Sequence, residues 1–222
     1  METAVQKIRR FSDLGNGDFL FRDGQYSVGY EQVKNVKAEK NGTITFNGSV
    51  NVDPDSTATN GGGVFSDISE AYIAVIGGLN RIENEYKLFQ MRVESAYMDL
   101  PRTETEIHNK PFSMLKTGDK VYRLSRMNRA VGIETEEVTR VDTVDGILYV
   151  NDVCILNPKS CAYSVMLGKR LFSNADSCYK YAMDMLNSIY SGLDSFRREL
   201  EILYERTKRN NNNPITFDYY EF

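Results

Sequence analysis

The side chains that could perform catalysis are few and scattered along the 222 residues of this chain. The only histidine is His108, so imidazole-based triads and most zinc sites lack their usual residues. Carboxylates occur close together, as in Glu134 with Glu136 or Glu199 with Glu201, but 31 acidic residues produce such pairs freely. Nothing around them marks one as desolvated, which general acid catalysis requires. We therefore expect no enzymatic activity, no cofactor and no metal site.

Two other segments match reactive or phosphate-binding patterns only in part. The cysteines, Cys154, Cys161 and Cys178, are odd in number and form no CxxC pair. This favours reduced, buried thiols in an intracellular protein. The loop 53–64 contains three consecutive glycines before a predicted helix, but no Gly-Lys-Ser/Thr follows them. We expect this loop to be a flexible connector rather than a phosphate site.

The composition bounds the class of protein and its partners. A hydrophobic fraction of 41% is typical of a globular protein, and a net charge of −4 gives no general affinity for polyanions. No apolar run approaches the roughly 20 residues of a membrane span. The opening METAVQKIRRF lacks the apolar core of a secretory signal. We expect no membrane association and either a cytoplasmic or a virion location.

An internal repeat is the most informative feature of the sequence. Segment 11–21 reads FSDLGNGDFLF and segment 112–122 reads FSMLKTGDKVY, with Phe, Ser, Leu, Gly and Asp at the same internal positions. The alignment continues through three further sets: Val28–Glu31 with Val131–Glu134, Val33 and Val36 with Val138 and Val141, and Asn41-Gly42 with Asp145-Gly146. Half of the protein is therefore interpreted as a copy of the other half.

The first part of each copy is predicted to be a small β-meander. Asn41-Gly42 and Asp145-Gly146 are residue pairs that favour type I′ hairpin turns, in which both central residues need positive φ. A second tight turn is predicted at Asn47-Gly48 and at Asn151-Asp152. Apolar residues that partly alternate around these turns predict four or five short strands. Gly-Asp-x-Val-Tyr-Arg at 118–123 resembles the first strand of SH3-like and Tudor-like barrels, which implies a half-open barrel of that type in each copy.

The second part of each copy has helical periodicity. Ser66 or Asp67, and likewise Ser173 or Asn174, suit the N-cap position. The apolar positions that follow, here named the inner seam, step by 4, 3, 4, 3. They are Ile68, Tyr72, Val75, Leu79, Ile82, Tyr86, Phe89, Val93 and Ala96, then Ala175, Tyr179, Ala182, Leu186, Ile189, Leu193, Phe196, Leu200 and Leu203. This is a coiled-coil pattern of about four heptads, which predicts long helices over 66–98 and 173–205.

These predictions define an α+β architecture with two copies of a barrel followed by a long helix. The first copy spans 1–98, a linker 99–111, the second copy 112–209 and an aromatic acidic tail 210–222. Each apolar seam needs a partner, which is either the other helix of the chain or a helix of another chain. Parallel and antiparallel pairing both remain open. Gly77-Gly78 interrupts the first helix and indicates a close helix contact or a kink, or alternatively a hinge or contact site.

The C-terminal segment NNNNPITFDYYEF has no counterpart in the first copy. Its aromatic residues are Phe217, Tyr219, Tyr220 and Phe222, and they are the candidate partner-binding residues. Disordered tails avoid aromatic residues, so the segment is expected either to add a strand to a β module or to dock on another protein. A basic cluster precedes it and suits the negative end of the helix dipole, or forms a basic patch. The cluster is Arg197, Arg198, Arg206, Lys208 and Arg209.

The sequence thus favours a non-enzymatic interaction or assembly protein, of the kind found among viral or phage accessory proteins, virion components and inhibitors of host proteins. Its expected partner is a protein, or a further copy of the chain, bound through the helices and the tail. The alternative is a nucleic-acid-binding module of SH3-like or Tudor-like type. In that alternative Tyr26, Tyr122 and Tyr149 would stack on bases.

Overall fold

The computed structural model describes residues 8–24, 27–101, 103, 110–125, 132–165 and 169–210. It is an α+β fold of short antiparallel strands and two long helices, in agreement with the predicted fold class. Each half of the chain follows the same order, from a short 3-10 turn through a set of strands to one long helix.

The strands are short and more numerous than expected. The first half begins with the turn Phe11–Asp13 and continues with β1 (Phe19–Asp23), β2 (Val28–Gln32), β3 (Val36–Ala38), β4 (Ile44–Phe46), β5 (Val50–Val52) and β6 (Val64–Phe65). The second half begins with the turn Phe112–Met114 and continues with β7 (Lys120–Leu124), β8 (Ile133–Glu137), β9 (Val141–Val144), β10 (Ile147–Val150), β11 (Val153–Ile155), β12 (Ala162–Val165) and β13 (Lys169–Phe172). The additional strands lie just before each helix, where the apolar pairs Val64-Phe65 and Leu171-Phe172 join a sheet.

Each half contains two antiparallel sheets. The first half has the orders β2-β1-β6 and β3-β4-β5, and the second half has β12-β13-β7-β8 and β11-β10-β9. In both halves the strand before the helix pairs with the first strand, as Phe65 with Phe21 and Phe172 with Tyr122. This pairing fixes the point at which each helix starts relative to its sheet.

The strand register corrects one part of the repeat alignment. Asp23 pairs with Val28 in the first half, and Leu124 pairs with Ile133 in the second. Val28 therefore corresponds to Ile133, and the alignment of Val28–Glu31 with Val131–Glu134 is wrong by two residues. The shared Val-Gly and Glu letters produced a false match, because the connection between the paired strands is longer in the second half.

The predicted tight turns are confirmed at three of four places. Positive φ angles occur at both residues of Asn47-Gly48 (50° and 72°), Asp145-Gly146 (52° and 79°) and Asn151-Asp152 (46° and 64°). The type I′ prediction is wrong at Asn41-Gly42, where only Gly42 has a positive φ. There the chain forms a wider loop, in which the Glu39 amide donates to the Thr43 carbonyl at 2.8 Å.

Both long helices are confirmed and begin with a polar cap. Helix α1 is Ile68–Met98 and helix α2 is Ala175–Arg209. The Asp67 carboxylate accepts the Ser69 amide at 2.8 Å, and the Asn174 side-chain oxygen accepts the Ser177 amide at 2.8 Å. Each cap therefore pairs a backbone donor of the first helical turn.

The chain forms two compact units, and each helix contributes a segment to both. Unit 1 consists of residues 1–82 and 192–222, and unit 2 consists of residues 83–191. Each unit thus contains the sheets of one half, the start of that half's helix and the end of the other helix.

In unit 1 the two helix segments run antiparallel. The Tyr72 and Tyr204 rings stack with centroids 4.5 Å apart, and an Arg197 guanidinium nitrogen donates to the Asn80 side-chain oxygen at 3.0 Å. Residue numbers fall along α2 as they rise along α1, which defines the direction. The sheets of this unit enclose a core of Phe11, Leu14, Leu20, Val33, Phe46, Val50, Val52 and Val64.

Unit 2 repeats this arrangement. The Tyr97 and Tyr179 rings stack with centroids 4.3 Å apart, and the Tyr190 hydroxyl donates to the Gln90 side-chain oxygen at 3.1 Å. Its helix-facing core contains Phe89, Val93, Tyr122, Ile133, Phe172, Ala175, Cys178, Ala182 and Leu186. Its second core, between the sheets, contains Phe112, Leu115, Val121, Val138, Leu148, Val150, Ile155 and Leu171.

Gly77 and Gly78, the two glycines inside α1, do not pack closely against another element. Apart from the nearby backbone of α1 itself, no heavy atom of the described residues would lie within 4 Å of a Cβ added at Gly77 or Gly78. The close-contact interpretation is therefore wrong, because the helix surface at both positions is open.

Candidate interaction surfaces

The tail residues chosen from sequence, Phe217, Tyr219, Tyr220 and Phe222, lie outside the described residues, as do His108 and Tyr26. Of the remaining base-stacking candidates, Tyr122 is only 3% exposed and belongs to the core of unit 2. A nucleic-acid base cannot reach its ring, so that prediction is wrong for Tyr122. Tyr149 is half-buried on β10.

The candidate metal and thiol groups do not converge in the described ranges. Within those ranges no group of three or more His, Cys, Asp or Glu side chains could hold a metal ion. Cys178 is fully buried, and burial raises the pKa of its thiol to about 12. Cys154 and Cys161 are only half-buried, so the expectation of buried thiols holds for Cys178 alone.

A polar cavity of about 230 Å³ lies beside the start of α2 in unit 2. The Lys110 ammonium pairs with the Asp119 carboxylate at 2.8 Å, and the Ser173 hydroxyl donates to the Lys110 carbonyl oxygen. Burial acts to raise the pKa of Asp119, but hydrogen bonds from Lys110 and from the Lys116 amide lower it overall. Serine, lysine and carboxylate are thus brought together.

The same cluster recurs in the first half, which indicates a structural role. The Arg9 guanidinium pairs with Asp18 at 2.9 Å, and the Ser66 hydroxyl donates to the Arg9 carbonyl at 2.5 Å. In both halves the cluster ties the chain before the first strand to the residue before the helix cap. The serine hydroxyl donates to a backbone carbonyl in each half, so we interpret the cluster as a structural contact rather than as the site of a catalytic nucleophile.

The most unusual surface is the solvent side of α1 in unit 2, here named the outer seam. It consists of Asn84, Leu88, Met91, Ser95 and Met98, and all five are exposed. Leu88 is 53% exposed, Met91 64% and Met98 79%. The residues step by 4, 3, 4, 3, so they form a stripe on one helix face that contains no charged side chain.

The outer seam lies opposite the inner seam, which is already buried in the same helix segment. Phe89 and Val93 of the inner seam are 2% and 0% exposed. Helix α1 is therefore apolar on two sides, whereas a surface helix normally has a charged solvent face. Soluble proteins rarely leave such a row of large apolar side chains exposed on a helix.

Helix α2 has no uncharged stripe at the positions that correspond to the outer seam. Its corresponding positions, counted from the caps, are Ser191, Ser195, Arg198, Ile202 and Glu205. Two of these are charged and two are serines, so the stripe is a feature of α1 alone. The sequence contains the outer seam as a second series with 4, 3, 4, 3 spacing. The longer inner seam was sufficient to predict the helix, so the second series was not used.

The basic cluster near the end of α2 is largely engaged within unit 1. Arg197 contacts Asn80, and the Lys208 ammonium donates to the Tyr204 hydroxyl at 2.7 Å. That hydrogen bond raises the pKa of Lys208. These contacts are with side chains of unit 1, and both the role at the helix C-terminus and the basic patch stay predictions.

No helix in the described part of the chain is both long enough and apolar enough to cross a membrane. Comparison of the chain with protein-family models, with curated proteins and with solved structures finds no match.

Proposed function

We propose that this protein is a non-enzymatic assembly protein that associates with further copies of itself through the outer seam of α1. The observation that carries the proposal is the uncharged, exposed stripe of Leu88, Met91 and Met98 at heptad spacing. Heptad spacing is the pattern by which one helix packs against another, so the expected occupant is a helix. Methionine side chains adapt readily to such contacts.

A second copy of the same face is the simplest helical occupant. An uncharged stripe carries no like-charge repulsion against itself, and a two-fold dimer brings identical surfaces together. Full burial of one Leu or Met side chain contributes about 1.5–3 kcal/mol relative to full exposure. Several such side chains from two copies offset an association cost of about 4–15 kcal/mol.

The measurement is the molar mass in solution by light scattering. The wild-type chain is expected at a multiple of its 25.3 kDa mass, and the double variant Leu88→Glu with Met91→Glu at 25.3 kDa. The matched control places glutamates at the corresponding α2 positions, Ser195→Glu with Arg198→Glu, and should keep the wild-type mass. Circular dichroism checks that both variants remain folded. A wild-type mass of 25.3 kDa at all accessible concentrations contradicts the proposal.

We further propose that the chain is a duplicated unit, with an SH3-like β module followed by a long helix over 1–98 and again over 112–209. The support is the recurrence of individual contacts. The Gly17 amide donates to Val33 at 2.8 Å as the Gly118 amide does to Val138. Asn47 and Asn151 each donate to a glutamate of the second strand, at 2.7 and 2.9 Å. An experimental structure in which these bonds occur in only one half would contradict it.

The cytoplasmic or virion location, and a role as a viral, phage or host-inhibiting protein, stay predictions. The same holds for partner binding by Phe217, Tyr219, Tyr220 and Phe222.

A further inference from the structure

Charged residues of both signs flank the outer seam of α1 on either side. One flank carries Lys87 and Glu94, and the other carries Glu85 and Arg92, so the sign changes after one heptad on each flank. With 3.6 residues per turn, all four lie about 60–100° around the helix from the middle of the seam. Lys87 and Glu85 are exposed, and Glu94 and Arg92 are half-buried. In paired helices, residues at such positions set the orientation and the choice of partner.

One antiparallel register of two copies matches the seam residues by kind. In a two-fold dimer with antiparallel helices, the residues of one helix meet those of the other in reverse order. Placing Leu88 level with Met91 of the second copy also places Asn84 level with Ser95 of that copy. The symmetry repeats both contacts. The centre of the interface then has two Leu–Met contacts, and each end has a polar Asn–Ser contact.

The same register brings unlike charges together on both flanks. In the antiparallel dimer each flank of one helix faces the same flank of the other. Lys87 then lies within about 3 Å, along the helix axis, of the level of Glu94 in the second copy, and Glu85 lies at the same offset from Arg92. The symmetry doubles each pair, which gives four attractive pairs around the apolar contacts. Such pairs set specificity more than affinity.

The competing arrangements bring like charges together. A parallel pair of helices joins opposite flanks, which sets Lys87 against Arg92 of the second copy. It also sets Glu94 against Asp99. Shifting the antiparallel helices by one heptad sets identical charged residues against each other. These are Arg92 and Glu94 for a shift in one direction, and Glu85 and Lys87 for a shift in the other.

Contacts within the chain leave these charges able to act between copies. The Lys87 ammonium pairs with the Glu83 carboxylate at 2.5 Å, and the Gln90 side chain donates to the Glu94 carboxylate at 2.8 Å. Contacts of this kind, one turn apart on a helix surface, contribute little to stability. An ammonium has three donors and a carboxylate two acceptor oxygens, so each group can contact a second partner. Arg92 also interacts within its own chain, and its guanidinium has five N–H donors.

We propose that two copies of the chain pair their outer seams as antiparallel helices in this one register, and that the charged flanks select it. This inference rests on the self-association proposed above and adds its stoichiometry, its direction and its register. The chain is therefore expected at twice its 25.3 kDa mass. Met98, at the end of the seam, lies outside the central contacts.

Charge reversal and charge exchange test the register, with the dissociation constant of the dimer as the readout. It is measured by sedimentation velocity over a dilution series at low ionic strength, where screening is weak. Lys87→Glu and Glu94→Lys should each weaken the dimer about tenfold, since each turns two attractive pairs into two repulsive ones. The double variant should return to within about threefold of the wild type. Positions 87 and 94 are two turns apart and do not meet within one helix, so this rescue reports contact between copies.

The matched control is Glu201→Lys, which makes the same charge change at the α2 position that corresponds to Glu94. It should leave the dissociation constant unchanged, and circular dichroism checks that every variant keeps its helices. Single variants that tighten the dimer indicate parallel helices, and single variants without effect indicate a shifted register. Either result overturns this inference, as does a double variant that is not rescued. Outer-seam association itself still stands in those cases if Leu88→Glu with Met91→Glu gives a monomer, whereas a monomeric wild type overturns both proposals.

Discussion

The ring of Tyr97 stacks on the ring of Tyr179 at an interplanar angle of 16°, and each tyrosine comes from a different helix. Tyr72 and Tyr204 form the same pair in unit 1 at 24°. Tyr72 and Tyr179 each lie five residues after their helix cap, and Tyr97 and Tyr204 each lie 30 residues after it. One aromatic contact therefore fixes the antiparallel register of the helices in both units.

The tyrosine pair in unit 2 should make stability fall at alkaline pH. Burial, reinforced by the charge of Asp176, raises the pKa of Tyr97 above its ordinary value of about 10. A folded-state pKa above the unfolded value means that this contribution is complete below pH ~10 and is lost as pH rises through the folded pKa. Urea unfolding from pH 8 to 11.5 should show a smaller alkaline loss in Tyr97→Phe. The control Tyr30→Phe should follow the wild type, and equal slopes in all three proteins contradict the prediction.

Asn47 should be one of the most sensitive polar positions of the first half. Its side-chain oxygen accepts the Lys34 amide at 2.8 Å, its nitrogen donates to Glu31, and its φ is 50°. Asn47→Ala should cost about 2–3 kcal/mol, since it removes hydrogen bonds and leaves a Cβ residue in the left-handed region. Asn47→Gly keeps the turn and should cost about 1 kcal/mol less. Chemical denaturation measures both, and equal losses would show that backbone conformation plays no part.

Gly77 and Gly78 should be replaceable with a gain in stability. Both lie inside α1 with open space at the Cβ position, and alanine is favoured over glycine in a helix by about 1 kcal/mol. Gly77→Ala and Gly78→Ala should each raise the free energy of unfolding by up to about 1 kcal/mol. Gly132→Ala is the opposite case, because its Cβ would collide with the backbone of α1. Thermal unfolding should shift upward for the first two and downward for the third; a loss at Gly77 would reveal a hidden contact.

Cys178 should be the least reactive thiol in the folded protein. It is fully buried and burial raises the pKa of its thiol to about 12, so thiolate is scarce at neutral pH. A disulfide reagent at pH 8 should modify at most two thiols of the native chain, and the third only after denaturation. The variant Cys178→Ser should leave the native reaction unchanged. Rapid native modification of three thiols would contradict the buried position.

The features that depend on local periodicity could be predicted from the sequence. The features that depend on contacts between distant parts of the chain could not. The helix positions and the polar caps followed from spacing and residue type. The seam also matched burial at most positions, except that Phe196 is 37% exposed. The antiparallel direction depends on contacts such as Tyr72 with Tyr204, which no local pattern reports.

The β part of the repeat shows the same limit. Matching letters placed Gly29 opposite Gly132, but the ion pairs Arg22–Glu31 and Arg123–Glu136 show the true register. The hairpin connection is four residues longer in the second half, 125–132 against 24–27, and this insertion is invisible when the flanking residues happen to match. The outer seam was missed for a different reason, since a helix already explained by one stripe gave no cause to look for another.

The division of the chain between the units has a consequence for biosynthesis. Unit 2 is a continuous stretch ending at Ser191, whereas unit 1 needs Gly192 and the residues beyond it to complete its helix pair. On the ribosome, the second β module and the helix segments of its unit are synthesised before the last segment of unit 1. We expect nascent chains released after residue 191 to show protease resistance in the later-synthesised β module before the earlier one.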